Sequence, residues 1–384
     1  MNCVFISPEF PENYYLFCRN LKKEGVTVLA IGQADYAELR PELRDSLSWY
    51  YRVSDLHDFG ELTAAMEFFT GKFGQIDALD SLNEYWLETE ARLRSMFGVP
   101  GVQEEEVLYI RRKSKMKEVF SAAGIPFAAG EVVDDYASAS AFAAKHGFPL
   151  VIKPDNGMGA AFTYKICDNI DLAHFFEARP DRQFIIESYV QGDIVTFDGL
   201  TDRRGNIVFW TSHVYGKGVM ETVTGDEHIS YYSLRAIPED LESLGRRTVA
   251  AFKLKGRFFH LEFFRRPDSS LCIMEVNMRP PGGPTVDMFN YACDWDLYDA
   301  WARVVADKPV GHFERKYHCA FIGRKRRNDY VHSHDEVLDW LGGKLAQYTE
   351  FPPVIARAMG ESAYIVRAES EDEIKQAVEY IQQM

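Results

Sequence analysis

At 384 residues, 46% hydrophobic and 26% charged, the chain is too long for one small core and has the composition of a soluble globular protein of two or three domains. A formal net charge of -15 argues against a nucleic-acid backbone as partner. Six scattered cysteines without CxxC spacing indicate neither a zinc site nor a disulfide framework. With no apolar run of membrane-spanning length and no signal-peptide pattern at the N-terminus, a reducing cytoplasm is the expected location.

Residues 2–6 read as a first buried strand. Residues 14–24 carry Leu16, Phe17 and Leu21 at helical spacing and stop at Gly25, and 26–31 read as a second strand. This β-α-β unit opens a doubly wound parallel sheet. No GxGxxG follows the first strand, so a dinucleotide cofactor is not indicated. A strand at 49–53, a helix at 59–73, a short strand at 78–81 and a helix at 87–97 extend the pattern. Glu84, just after a strand end, stands either where ligands of such sheets collect or as an acid at a helix N-terminus.

Gly98-Val99-Pro100-Gly101 reads as a break. A helix at 107–123, an extended segment at 130–133, a helix at 138–146, strands at 150–153 and 162–166, a helix at 171–177 and a strand at 183–190 then form a small α+β unit. From Gly192 the pattern turns antiparallel. Strands at 194–200 and 207–215 flank a hairpin turn, 216–228 is a polar, mobile loop, and a strand at 233–237 precedes a helix at 238–254. A second hairpin, a helix at 285–305 and a tail (strand 319–324, helix 335–341, strand 363–367, helix 371–383) complete the chain. The basic clusters Arg111-Arg112-Lys113 and Arg324-Lys325-Arg326-Arg327 read as solvated faces, the first as a possible exception.

The second hairpin carries the chemistry. Two apolar runs, 257–264 and 271–276, flank Pro267-Asp268-Ser269-Ser270, and each holds one carboxylate, Glu262 and Glu275. Glu275, Asn277 and Arg279 alternate with period 2, so an extended backbone puts them on one face. Two acids and an amide oxygen make a hard, oxygen-only site suited to Mg²⁺, with substrate phosphates and water completing the octahedron. Arg279 beside it is placed to contact a phosphoryl group or a carboxylate. The alternative is a hairpin with a polar wet face. Flanking Phe259, Phe263, Ile273 and Val276 favour a packed hairpin, where buried acids need a counter-charge.

A phosphate side is also visible. Lys153 ends an apolar strand, and the turn Asp155-Asn156-Gly157-Met158-Gly159 offers two glycines that let backbone N–H groups curl around an anion. Neither a Walker A ending nor a Rossmann fingerprint is present. Lys113 stands near the start of the helix ending at Gly124, with Lys115 and Lys117 flanking it; exposed-face lysines are the alternative. Glu187 sits inside the apolar strand 183–190, either at an adenine's amino group or as a salt-bridged strand acid. His213 and Lys217 lie within reach of a substrate carboxylate, although a lone strand His is more often structural. His332 and His334 read as an exposed loop.

Taken together these pieces resemble the ATP-grasp superfamily. Lys113-Ser-Lys-Met-Lys with Ala123-Gly-Ile-Pro resembles its first lysine helix, and Val151-Ile-Lys-Pro-Asp-Asn-Gly-Met-Gly its second lysine and glycine-rich loop. Ile186-Glu-Ser-Tyr-Val-Gln-Gly resembles its adenine hinge, and His260-Leu-Glu-Phe-Phe with Met274-Glu-Val-Asn-Met-Arg-Pro its metal hairpin. The resemblance covers about residues 1–310. It implies an α/β and α+β fold of three parts: an N-terminal Rossmann-like domain (1–110), a small lid with its leading helix (111–190) and a large antiparallel subdomain (191–310). Residues 311–384 form an extension packed on the last. It further implies ATP and Mg²⁺ (or Mn²⁺) as cofactors, small-molecule carboxylate and amine substrates, and activation of the carboxylate as an acyl-phosphate. Homodimers are common in the superfamily.

Carried over by position, Lys113, Lys153, Gly157 and Gly159 hold phosphates, Glu187, Ser188 and Val190 line the adenine, and Glu262, Glu275 and Asn277 bind the metal. Arg279, with Lys153, serves catalysis. The hinge departs from the superfamily's Gly-x-Glu: Gly192 is followed by Asp193 and Ile194, so Asp193 takes the ribose contact from a shifted position or the contact is missing. Pro280-Pro-Gly-Gly-Pro-Thr after Arg279 lacks the Gln-Val-Glu-His-like stretch of biotin-carboxylase-type members and is nearer the amino-acid ligases. Carboxylate–amine ligation is therefore expected. A carboxylate kinase, a carboxylase and a nucleotide-binding module without turnover are the alternatives.

Overall fold

Alternation within one short strand begins the architecture. In β1 (Asn2–Ile6), Cys3 and Phe5 pack on one side against the helix Tyr15–Lys23, while Val4 and Ile6 pack on the other against the helix Phe59–Phe73. A strand covered on both faces reads as an unbroken apolar run. β2 (Thr27–Gly32), β3 (Trp49–Arg52) and β4 (Ala78–Asp80) join it in parallel, in the order β3-β2-β1-β4. Strand order reverses between β1 and β4, which opens a crevice at their C-terminal ends. The computed structural model describes residues 1–157, 162–216, 228–352, 356 and 359–384. Gly159, Lys217 and nearly all of the expected mobile loop fall outside them.

A second sheet is small and antiparallel: β5 (Gly130–Val133), β6 (Leu150–Pro154), β7 (Tyr164–Ile166) and β8 (Phe184–Ser188), in the order β5-β8-β6-β7. Leu150, Ile152, Phe184 and Ile186 join Phe142 and Phe175, from the helices Tyr136–His146 and Asn169–Ala178, in one core. Lys153 and Glu187, at the alternate positions, belong to the opposite face.

Among the described residues the third sheet has nine strands, all antiparallel. β9 (Asp193–Thr201), β10 (Ile207–Thr211), β11 (His213–Tyr215) and β12 (Ser230–Ser233) precede the hairpin β13 (Phe258–Arg265) and β14 (Leu271–Asn277). β15 (His318–Arg324), β16 (Leu345–Glu350) and β17 (Ser362–Ala368) come from the tail. The order is β14-β13-β9-β11-β12-β15-β17-β16, with β10 on β9, so the tail continues the sheet that holds the hairpin. The parallel sheet, the small α+β unit and the large antiparallel sheet expected from the sequence are all present.

Several elements differ from the expectations. The helix at 107–123 is two helices, Glu104–Arg111 and Lys113–Ala122, because Arg112 is extended (φ -99°, ψ 120°) and bridges Asn156. The strand at 207–215 breaks at Ser212 into β10 and β11. The strand at 233–237 lies earlier, as β12. The helix at 285–305 is split by Asp294, at φ 46°, into Thr285–Cys293 and Leu297–Val305. The helix Pro41–Ser46 and the edge strand β16 had no expectation. In the tail cluster Arg324 is buried and donates to the Ile381 carbonyl at 2.7 Å, so that stretch is not simply a solvated face. His332 stacks on Tyr380 and His334 meets the Tyr364 hydroxyl at 2.8 Å, so both are structurally engaged.

Candidate active site

Between the small sheet and the β13–β14 edge of the large one lies a cavity of about 510 Å³. Lys113, Lys153, Glu187, Ser188, Val190 and Asp193 line it from one side, and Glu262, Glu275, Asn277 and Arg279 from the other. The structure thus brings together every sequence-derived candidate that it describes except Gly157, which enters through its carbonyl: the Lys113 ammonium donates to it at 3.1 Å.

The acidic wall follows from strand register. Glu262 pairs with Glu275 and His260 with Asn277 across β13 and β14, and the same two β13 residues pair with Thr196 and Asp198 on β9. Side chains at paired positions share a sheet face, so six polar groups form a patch three strands wide. Asn277 Nδ2 donates to Glu262 Oε1 at 3.2 Å, and His260 Nε2 reaches the same oxygen at 3.2 Å. Burial alone would push the Glu262 carboxyl up; His260 outweighs it and holds the group below the usual range.

Behind this wall Asp198, wholly buried, accepts from His260 Nδ1 at 2.6 Å and from His213 Nδ1 at 2.8 Å. Burial works against the His260 charge, yet Asp198 and Glu262 raise its pKa to about 9, so it is an imidazolium at neutral pH. His213 is therefore held structurally.

The basic wall is built from two elements. The N–H of Lys113 donates to the Asp155 carbonyl at 3.0 Å, and the buried Asp155 carboxylate accepts from the Ser114 N–H at 2.7 Å and its hydroxyl at 2.8 Å. This lashes the helix start to the end of β6 and brings the Lys113 ammonium within 3.0 Å of Glu275. Lys153 and Lys117 sit 2.7 and 2.8 Å from the two oxygens of Glu187. Glu187 is thus salt-bridged within its strand while still lining the cavity. Burial would raise its pKa, but Lys153 and Lys117 pull it down to about 2. For Lys153, too, burial opposes the charge, and Glu187 and then Glu275 outweigh it, so its pKa lies above the ordinary value. Lys117 and Lys113 are one helical turn apart on one face, a spacing that marks Lys117 as a site residue. Lys115, between them, is exposed and pairs with Glu118.

Arg279 is oriented from a distant part of the chain. Its Nε and Nη2 both lie 2.9 Å from Glu84 Oε2, while Arg111 Nη1 holds the other Glu84 oxygen at 2.7 Å. Glu84 is therefore an arginine clamp, and the first basic cluster is an exception to the solvated-face reading through Arg111 and the buried Lys113. Where the chain passes from β8 into β9 the backbones crowd: a Cβ at Gly192 would lie 2.5 Å from the Arg265 carbonyl oxygen, so only glycine fits.

Two carboxylates and one amide oxygen fit a hard cation that shares its shell with phosphate and water. Among the described residues no three His, Cys, Asp or Glu side chains converge to hold a metal by themselves. A larger cavity of about 730 Å³, at the seam between the parallel sheet and the large sheet, has a floor of Asp80, Arg94 and Arg257. Those charges are spent on one another and on buried Glu90 (Arg94–Glu90 2.7 Å), so size does not locate the chemistry.

No family model matches the chain. In fold it is similar to an L-amino acid ligase from Bacillus licheniformis, with a TM-score of 0.77 and 14% identity over 98% of this chain and 95% of that one. The chain has the ATP-grasp fold. A second ATP-grasp neighbour, N5-carboxyaminoimidazole synthetase from Staphylococcus aureus, has a TM-score of 0.71 and 13% identity over 98% of this chain and 96% of its own. In sequence the chain is 25% identical over 316 residues to the L-arginine-specific L-amino acid ligase of Bacillus subtilis, 78% of this chain and 74% of that protein.

Proposed function

We propose that this protein is an ATP-dependent carboxylate–amine ligase that activates the acid as an acyl-phosphate and releases ADP and phosphate. The observation that carries the reading is the cavity itself, where three buried lysine ammoniums face the Glu262/Glu275/Asn277 patch and Arg279 closes one end. Phosphoryl transfer needs placement and charge neutralisation rather than covalent help from the protein. The likeness to amino-acid ligases supports the choice of acceptor.

In this reading Lys113 and Lys153 bind phosphates beside Gly157, and Glu187 keeps Lys153 and Lys117 in place. The strand end at Ser188–Val190 lines the base, and Asp193 is the acid available to the ribose. Glu262, Glu275 and Asn277 hold Mg²⁺ or Mn²⁺, which neutralises phosphate charge when bound. Arg279, steered by Glu84, binds the carboxylate and then the acyl-phosphate. The amine attacks the acyl carbon, the C–O bond to phosphate breaks, and the ammonium proton is lost to solvent. Residues 1–110, 111–190 and 191–310 act as pre-ATP-grasp domain, lid and large subdomain, with 311–384 extending the last. A cytoplasmic homodimer acting on small molecules, without nucleic acid, completes the proposal; among the described residues no helix is long and apolar enough to cross a membrane.

A panel of amino acids and small acids with ATP and Mg²⁺, read by phosphate release, tests this. ADP and phosphate should appear only when a carboxylate and an amine are both present. Stoichiometric ADP from a carboxylate alone would instead indicate a kinase, and no turnover across the panel a binding module.

A further inference from the structure

We propose that Asp198 is a positioning residue for the metal site and acts on Glu262 through His260; the inference rests on the metal assignment above. Asp198 stands opposite His260 in the β9–β13 register, and Thr196 stands opposite Glu262, so all four share the face that bears Glu275 and Asn277. The Asp198 carboxylate cannot turn. Its Oδ1 takes His260 Nδ1 at 2.6 Å, and its Oδ2 takes the Thr196 hydroxyl at 2.5 Å and His213 Nδ1 at 2.8 Å. His213 is itself fixed, with Tyr231 and Phe289 rings against its imidazole.

The consequence reaches the metal ligand. With Nδ1 committed to Asp198, the His260 ring can only present Nε2 to Glu262, which it meets at Oε1, 3.2 Å away. Asn277 Nδ2 meets the same oxygen at 3.2 Å. Two donors on Oε1 set the carboxylate plane and leave Oε2 without a hydrogen-bond partner among the described residues. A cation-binding carboxylate held by a hydrogen-bonded outer group is how affinity is tuned, and removing such a group typically costs 10- to 100-fold in metal affinity. A buried aspartate that merely satisfies two histidines would not affect the cation.

The test is Mn²⁺ binding to the ADP-saturated full-length protein, followed by the electron paramagnetic resonance signal of free Mn²⁺, in wild type, Asp198→Asn, Glu262→Gln and His260→Asn. Calorimetric ADP binding without metal serves as the control. Asp198→Asn should weaken Mn²⁺ roughly 10- to 100-fold while metal-free ADP affinity stays within about twofold. Wild-type or tighter Mn²⁺ binding in Asp198→Asn, with Glu262→Gln impaired, would overturn the positioning role and leave the metal site standing. Unaltered Mn²⁺ binding in Glu262→Gln would overturn both. His260→Asn covers the case in which Asp198→Asn does not fold: its amide reaches Asp198 but is too short for Glu262. It should weaken Mn²⁺ likewise, and normal binding in it would overturn the proposal.

Discussion

Two lysines of opposite exposure show what burial does to a site. Lys153 is buried at the end of β6 with Glu187 at 2.7 Å, whereas Lys115 is exposed and paired with Glu118 on its own helix. Lys153→Ala is expected to raise the KM for ATP roughly 30-fold or more, about 2 kcal/mol of lost phosphate contact, and Lys115→Ala to leave it within about twofold. Equal effects in steady-state kinetics would mean that the phosphates bind elsewhere. Glu187 gives a pH test. Its pKa falls from an ordinary 4.5 to about 2 on folding, so the folded state binds this proton more weakly and the group stabilises the fold above about pH 4.5. That contribution, on the order of 3 kcal/mol, is lost as pH drops from about 4.5 toward 2. Urea unfolding of wild type and Glu187→Gln should show the gap between them narrowing over that window; a constant gap would contradict the ion-pair account. The hairpin acids, Asn277 and Arg279 were legible because carboxylates in apolar runs at period 2 are costly unless used. Asp198 and Lys117 were not: one looks like a strand interruption, the other like a surface lysine, and only the fold shows what each faces.

Among elements, the break at Arg112 matters most. Nothing in residues 107–123 signals it, since every residue there tolerates a helix. The tertiary bridge to Asn156 and the Lys113–Asp155 backbone bond override local propensity, and in doing so start a new helix with Lys113 at its first position. Asp155→Ala removes two hydrogen bonds to a buried carboxylate at that helix start. It is expected to destabilise the protein by roughly 1–3 kcal/mol and to raise the KM for ATP along with it. Thermal denaturation with ATP titration checks both; lost stability with unchanged ATP affinity would detach the helix start from the phosphate site. The strand at 207–215 and the helix at 285–305 ran on in the sequence reading for the same reason. Ser212 and Asp294 break them through pairing and a left-handed turn that periodicity does not register.

At the scale of the whole molecule, the parallel sheet reaches into the site through one residue. Glu84, beyond the end of β4, grips Arg279 and Arg111 together, tying the crest of the first sheet to the end of the β13–β14 hairpin and to the helix Glu104–Arg111 that precedes Lys113. Glu84→Gln is expected to lower kcat tenfold or more with the KM for ATP within about threefold, because orientation of Arg279 is lost while the nucleotide contacts remain. A rise in ATP KM alone would place Arg279 at the nucleotide instead. The three-part architecture was readable from period and order. The substrates were not, since no strand or helix pattern encodes them. Acyl-phosphate ligation has one direct signature: the oxygen lost by the acid must leave with the phosphate. With the acid selected by the panel carrying ¹⁸O in its carboxylate, one labelled oxygen per turnover is expected in inorganic phosphate, with ADP as the nucleotide product. Unlabelled phosphate, or label in AMP accompanied by pyrophosphate, would contradict it.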